Sequence, residues 1–237
     1  MKSLHIFIIS LCLLFFTACT NNEHNDSDNK SLSFQGIVLG ESIPDSIMQS
    51  LESSNLSISD YIHVENQTFY VKPLLGKFSL KGSNGFPIDV NVSVYRHPES
   101  GEVYRIILTD LIYNDVAELY KLFCAKYGSP NFPENSKNLS FEDLHQKNSS
   151  TYNSCYARWS NINSRNQSVS FGPVEQLGLS RGLGFNVFKI EYVDTDALDD
   201  VYSYFVKSMA NEEQQRKQSF QSEQERLNNS AVINQDF

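Results

Sequence analysis

Apolar positions recur along this chain with two periods, and the switches between them mark out its elements. The two-residue period is plainest in Ile88-Asp89-Val90-Asn91-Val92-Ser93-Val94-Tyr95, which puts Ile88, Val90, Val92 and Val94 on one face of a strand. Val103 to Leu108 follows after His97-Pro98-Glu99-Ser100-Gly101, and the Ser-Gly turn predicts an antiparallel hairpin. Tyr61–Val64, Thr68–Val71 and Lys77–Leu80 are rich in β-branched and aromatic residues, with Gly76, Gly82 and Gly85 among them, and predict more strands. So do 152–162, 167–171 and 185–193, the first two joined by a turn at Asn163-Ser164-Arg165-Asn166. In the first of these, Cys155, Ala157 and Trp159 share a face, and the bulk of Trp159 predicts that this face points inward with Cys155 on it.

The helical period appears twice with the same offsets. Val116, Leu119, Tyr120, Phe123, Cys124 and Tyr127 fall at 0, 3, 4, 7, 8 and 11, and Gly128 and Pro130 end the helix. Leu198, Val201, Tyr202, Phe205, Val206 and Met209 repeat those offsets after Asp194-Thr195-Asp196. The match predicts a weak internal repeat of helix and sheet. A further helix is predicted over 44–54, with Pro44 in its first turn and Ile47, Met48 and Leu51 on one side. Residues 129–150 read as a polar, irregular excursion with a short helical turn near Phe141–His145. From Ala210 the stripe disappears, and Phe220 and Leu227 are the only large apolar residues of 211–229. That stretch predicts a fraying tail or a helix that needs a partner. The fold class that follows is α+β: an antiparallel sheet of about six to eight strands packed on two or three helices. The body spans 34–209 and is followed by a polar helical or disordered tail over 210–237.

The N-terminus has its own pattern. After Lys2, Ile6 to Phe16 is almost wholly apolar. The run has the length of a signal-peptide core, about 7–15 residues, and falls short of the roughly 20 needed to span a bilayer. It stops at Phe16-Thr17-Ala18-Cys19, which resembles the lipobox of bacterial lipoproteins, with Phe where Leu is commonest. The resemblance implies that 1–18 is a signal peptide and that Cys19 is cut free and acylated. A lipid on Cys19 then holds the protein to a membrane of the bacterial envelope, by resemblance the outer membrane, with the periplasmic or surface face left open. Each buried CH₂ contributes about 0.8 kcal/mol, so two or three acyl chains make a stable anchor. Residues 19–33, polar and poor in large apolar groups, read as a flexible tether.

Charge narrows the partners. The chain carries 19 basic and 28 acidic residues and a net charge of −9. Loss of 1–18 removes Lys2 and no acid, which leaves −10 (18 basic against 28 acidic residues). Such a balance repels phosphate, so nucleic acid is excluded as a partner. Of the cysteines, Cys12 leaves with the signal and Cys19 takes the lipid. Cys124 and Cys155 either pair, closing a loop whose entropy is worth about 3–4 kcal/mol, or stay as two buried thiols. No CxxC and no HExxH occurs, so no metal or cofactor is implied.

His63 and Glu65 lie two apart on a predicted strand and would share a face, either as a small acid–base or metal pair or as exposed polar residues. The glycine cluster from Gly172 to Gly184 is followed by a strand, where a phosphate cradle needs a helix. It reads as a connection between strands, or as a partner-binding loop with Leu177, Leu179, Arg181 and Leu183 as contacts. Asp45-Ser46-Ile47 resembles the O-glycosylation triplet of Bacteroides-type envelope proteins, which implies modification of Ser46; the other reading is a polar first helical turn.

Phe34-Gln35-Gly36-Ile37, a Gly-Lys-Phe strand, the Val-rich hairpin and a helix ending Lys126-Tyr127-Gly128-Ser129-Pro130 together resemble a group of Bacteroides-type lipoproteins of unknown function, over residues 34–193. Their fold is similar to the helix-plus-sheet modules of the SmpA/OmlA lipoproteins and the β-lactamase-inhibitor-like proteins, which are protein binders. No functional residue carries over. The resemblance implies a non-catalytic envelope lipoprotein that binds another protein or serves as a scaffold. The alternative is an envelope hydrolase or glycan-binding subunit. It requires a concave pocket in which Tyr95, Tyr104, Tyr156 and Trp159 meet converging carboxylates.

Overall fold

The computed structural model describes residues 31–53, 60–81, 86–134, 139–149, 155–162, 166–174 and 187–233. In chain order they form β1 (Ser33–Phe34), β2 (Ile37–Val38), α1 (Asp45–Met48), β3 (Glu52–Ser53), β4 (Asp60–Val64), β5 (Gln67–Val71), β6 (Leu74–Lys81), β7 (Pro87–Arg96), β8 (Val103–Leu111), α2 (Tyr113–Tyr127), α3 (Phe141–Ser149), β9 (Ala157–Trp159), β10 (Gln167–Pro173), β11 (Phe188–Asp194) and α4 (Thr195–Ile233). The fold is α+β. Its main sheet is antiparallel in the order β3-β6-β7-β8-β11-β10-β9, with β3 only a two-residue edge piece on six longer strands. The hairpins β1–β2 and β4–β5 lie outside it.

The strand order is palindromic about its centre. The meander β6-β7-β8 leads into α2, the meander β9-β10-β11 leads into α4, and β8 pairs with β11 in the middle. The strands thus follow one pattern on both sides of the β8–β11 pair. It breaks in the helices, which go to opposite faces of the sheet.

The first face holds the larger core. Val92 lies opposite Leu108 and Val94 opposite Ile106, so the alternating valines of β7 meet the alternating aliphatics of β8 on one side. Ile190 and Tyr192 of β11, Val169 and Phe171 of β10, and Ala157 and Trp159 of β9 extend that layer. It is covered by α2 through Val116, Leu119 and Tyr120, by α3 through Phe141 and Leu144, and by an N-terminal arm carrying Leu32, Phe34, Ile37, Leu39, Ile43 and Leu51. Burying aliphatic and aromatic surface at roughly 25 cal/mol per Å² is the main force that closes these layers.

Several expectations are corrected here. The helix predicted over 44–54 is only four residues long. Its intended continuation is diverted because Leu51 is buried over Gly76, where a Cβ would stand 2.7 Å from Leu51 Cδ2, and Glu52–Ser53 pair with Leu74–Leu75. The excursion over 129–150 contains α3, which begins with a reciprocal cap: Asp143 N–H donates to Ser140 Oγ (3.1 Å) and Ser140 N–H to Asp143 Oδ2 (2.9 Å). Two side chains of α3 lie in the core, so its polar composition hid a packing face. Leu32, ahead of β1, is buried as well, and its N–H donates to Gln167 Oε1 at 2.6 Å.

That bond belongs to a buried polar node. Gln167 Nε2 donates to Asp194 Oδ2 (2.6 Å), and Asp194 Oδ1 accepts the N–H of Ala197 (3.0 Å). Asp194 therefore caps α4 while Gln167 ties the N-terminal arm to the last strand of the sheet. The helix predicted to begin after Asp194-Thr195-Asp196 starts two residues earlier, at Thr195. The tail over 210–237 is a continuation of α4, helical without interruption as far as Ile233.

Candidate functional site

The second face of the sheet is mostly polar, and among the described residues an apolar cluster covers one end of it. There β4–β5 and the first turns of α4 close a smaller core of Ile62, Val64, Val71, Tyr95, Tyr104 and Val201, with Phe69, Ile107, Leu198, Phe205 and Met209 around it. Phe69 of the hairpin stacks on Phe205 of α4 at 4.4 Å between ring centres. The hairpin alternates: its apolar residues face α4, and its other side exposes Tyr61 and Tyr70, a cross-strand pair in edge-to-face contact at 5.9 Å.

Where the hairpin, the β7–β8 turn and α4 meet, a cleft opens. It is lined by Tyr70, Val71 and Lys72 of the hairpin end, by residues 96–101 of the turn, and by Tyr204 and Phe205 of α4. Phe205, fixed by Phe69, forms part of its wall. His97 stands edge-on to Tyr204 at 5.3 Å. Its Nδ1 accepts the N–H groups of Glu99 and Ser100, both at 3.1 Å, which leaves the proton of the neutral ring on Nε2. The turn is closed by Gly101 N–H to the His97 carbonyl at 3.0 Å, with Gly101 at φ 76, a conformation natural to glycine. Lys72 and Arg96 bring two cations to the rim against one acid, Glu99. Neither cation is in an ion pair among the described residues.

The open part of the second face carries the other charged group of note. Arg105 Nε lies 2.5 Å from Glu191 Oε1, and Lys189 Nζ lies 3.4 Å from Glu191 Oε2. Burial pushes the Glu191 carboxyl up, but Arg105 and then Lys189 outweigh it and hold it below the usual carboxylate range. Arg105 also lies 5.3 Å from the Tyr95 ring centre, and burial followed by the Glu191 charge pushes the Tyr95 phenol up to about 12. A carboxylate held ionised by two cations is a poor proton donor, and its lone pairs are already engaged. On the first face, His145 of α3 sits among Tyr113, Tyr156 and Phe188, its Nδ1 buried without a hydrogen-bond partner, and burial lowers its pKa.

The residues singled out from the sequence are scattered by the fold. Tyr95 and Tyr104 lie under the hairpin on the second face, whereas Tyr156 and Trp159 belong to the core of the first. The four aromatics of the hydrolase or glycan-binding alternative therefore line no common pocket. Glu65 sits in the β4–β5 turn at φ 52, and the ring of His63 bonds Thr68 Oγ1 at 3.0 Å; the pair does not form a site.

Cys124 and Cys155 are free thiols. Burial raises the pKa of each. Cys155 does not follow Trp159 inward: Tyr156 and Ala157 are both buried, the alternation breaks between them, and the Cys155 thiol lies within the influence of Arg158, Glu191 and Lys189. Ser46 is exposed in α1. Cys19 and the loop residues Leu177, Leu179, Arg181 and Leu183 lie outside the described residues, as does the signal and tether segment up to residue 30.

Among the described residues no three His, Cys, Asp or Glu side chains gather as a metal site, and no helix is long and apolar enough to cross a membrane. The chain matches no protein-family model, no curated protein and no solved structure. Lys72, Arg96, His97 and Tyr204 had no linear signal to unite them, because 70–72, 96–101 and 204–205 meet only through the packing of the hairpin and α4 onto one end of the sheet. Tyr70 reads in the sequence only as part of the Thr68–Val71 strand, with no role in a site.

Proposed function

We propose that this protein is a non-catalytic envelope lipoprotein, anchored through Cys19, that binds another protein. The observation that supports this most is the form of α4. Its docking ends at Met209, the last residue of the helix packed against the smaller core. From Ala210 to Leu227 every residue is exposed, including Phe220 at 65% and Leu227 at 53%. A polar helix with no docking face gains little from tertiary packing. Phe220 and Leu227, seven apart, lie on one side of it, where a partner can bury them. The ion pairs Glu212–Arg216 and Glu213–Lys217 favour the helix in isolation, and Phe220 and Leu227 stay more than half exposed.

The test is affinity capture from a membrane fraction with the intact acylated protein, comparing the natural sequence with the Phe220→Ala/Leu227→Ala double variant. The proposal expects a defined partner that is lost in the double variant while the Cys19 lipid and the fold are retained. Recovery of the same proteins in equal amounts from both would overturn it.

A further inference from the structure

The cleft between the hairpin end, the β7–β8 turn and α4 has the features of a receptor for a particular class of ligand. We infer that it binds an extended acidic segment of a polypeptide, laid along the free edge of β5 with its carboxylates on Lys72 and Arg96. This deepens the reading of the protein as a protein binder by giving the chemistry of a partner segment at a surface separate from the outer half of α4.

Three observations carry the inference. First, the cleft gathers two cations with no ion-pair partner among the described residues, in a chain whose net charge is −9. At physiological salt charges act over only about 8 Å, so this local pair governs what approaches, not the overall acidity. Arg96 can grip a carboxylate with two parallel N–H groups, and Lys72 adds a movable point charge. The single acid of the rim, Glu99, is on the turn, and His97 offers its Nε2–H as a further donor.

Second, among the described residues β5 pairs only with β4, and no backbone hydrogen bond outside that ladder involves residues 67–72. Three consecutive residues, Tyr70, Val71 and Lys72, line the cleft although their side chains alternate in direction. The cleft therefore meets the strand along its edge, where outward N–H and C=O groups await a partner. An extended peptide completes such an edge, and a sugar does not.

Third, the walls are aromatic and held in place. Tyr70 is 69% exposed, and Tyr204 is fixed against His97, itself pinned by two backbone N–H groups. Tyr and Arg around a preformed recess are the side chains that bind polypeptide at low entropic cost. Two cations are too few to hold a polyphosphate chain, whose affinity comes from many phosphate contacts.

The experiment uses the full chain and a fluorescein-labelled hexapeptide alternating Asp and Val, followed by fluorescence anisotropy. The expected result is saturable binding that weakens as salt is raised from about 0.05 to about 0.3 M. Binding should weaken about tenfold in the Lys72→Gln/Arg96→Gln double variant. Lys72→Gln alone alters an exposed side chain and so keeps the fold; it should weaken binding about threefold. A Lys-Val peptide should not bind, and backbone N-methylation of the Asp-Val peptide should abolish binding.

Equal binding by the single variant, or equal binding of the Lys-Val peptide, would overturn the inference. So would retention of the N-methylated peptide with tighter binding of oligogalacturonate, which would make the occupant an acidic glycan. Because none of these variants touches Phe220 or Leu227, failure here is distinguishable from failure of the α4-dependent capture.

Discussion

Helices α2 and α4 carry the same apolar offsets in sequence and meet different fates. In α2 the residue at offset 4, Tyr120, is 3% exposed, with ring contacts to Trp159, Phe141 and Phe171. In α4 the residue at offset 4, Tyr202, is 38% exposed, and Val206 at offset 8 is exposed too. The cause is what each helix packs on. α2 lies on a sheet face whose strands all present aliphatic and aromatic side chains, and α3 closes in beside it. α4 crosses a face that is polar over most of its area and finds apolar contact only where Tyr95, Tyr104, Ile107 and the hairpin meet it. A stripe therefore fixes which side of a helix turns inward. The opposing layer decides how much of the stripe is used.

The largest effect that follows from this comparison is on stability. Tyr120→Ala should cost about 3–5 kcal/mol, since it empties a ring-sized space in a close-packed layer and leaves the Leu139 carbonyl without its hydroxyl donor at 3.2 Å. Tyr202→Ala should cost less than about 1 kcal/mol. Urea unfolding of the two variants measures both. Near-equal losses would mean that the two stripes are used alike and that the contrast between the faces is wrong.

How far the sequence spoke follows from the same contrast. The valines of β7 could be read because a strand with one buried face must alternate, and both long helices could be read because their stripes are complete. The split of Tyr95 and Tyr104 from Tyr156 and Trp159 could not, since it depends on which face each meander sends its following helix across. α3 was half hidden: Phe141 and Leu144 are its only two large apolar residues and both are buried, and the Ser140/Asp143 cap that starts it was the overlooked local signal. The cleft was illegible because each of its three segments is unremarkable until the hairpin folds onto α4.

A second, smaller contrast lies in how the two faces respond to acid. On the first face, burial holds the His145 pKa below 6.5. The unfolded chain takes up that proton first, so stability is complete above about pH 6.5 and falls as the pH drops through the interval down to the folded value. On the second face the Glu191 carboxyl is held below 4.5, so its contribution is present above that pH and is lost as the pH falls through its folded value. Melting temperatures between pH 8 and pH 3 should therefore fall in two steps. His145→Phe should remove the upper step alone, because it takes away the titrating ring from a site whose buried Nδ1 makes no hydrogen bond. Glu191→Gln should shrink the lower step, leaving the part due to the Asp143 cap of α3, and cost about 1–3 kcal/mol at neutral pH, because it leaves Arg105 and Lys189 without their counter-charge. If either variant abolished both steps, the two faces would be titrating as one coupled unit.

The smallest effect belongs to the outer half of α4. Among the described residues, deleting 210–237 takes away no apolar side chain that packs on either core, since the last such residue of the helix is Met209. The urea midpoint should move by less than it does for Tyr202→Ala, while far-UV ellipticity falls by the share of helix removed. The contrast with α2 is direct: there the last turn is tied to the body by Trp159 Nε1–H donating to the Gly128 carbonyl at 2.9 Å, so losing it would expose core. A small shift would fit the proposal that the outer half of α4 serves a partner rather than its own body. A midpoint shift from the truncation as large as that of a core substitution would show that the outer half folds back on the domain, and would remove the reason for seeking its partner elsewhere.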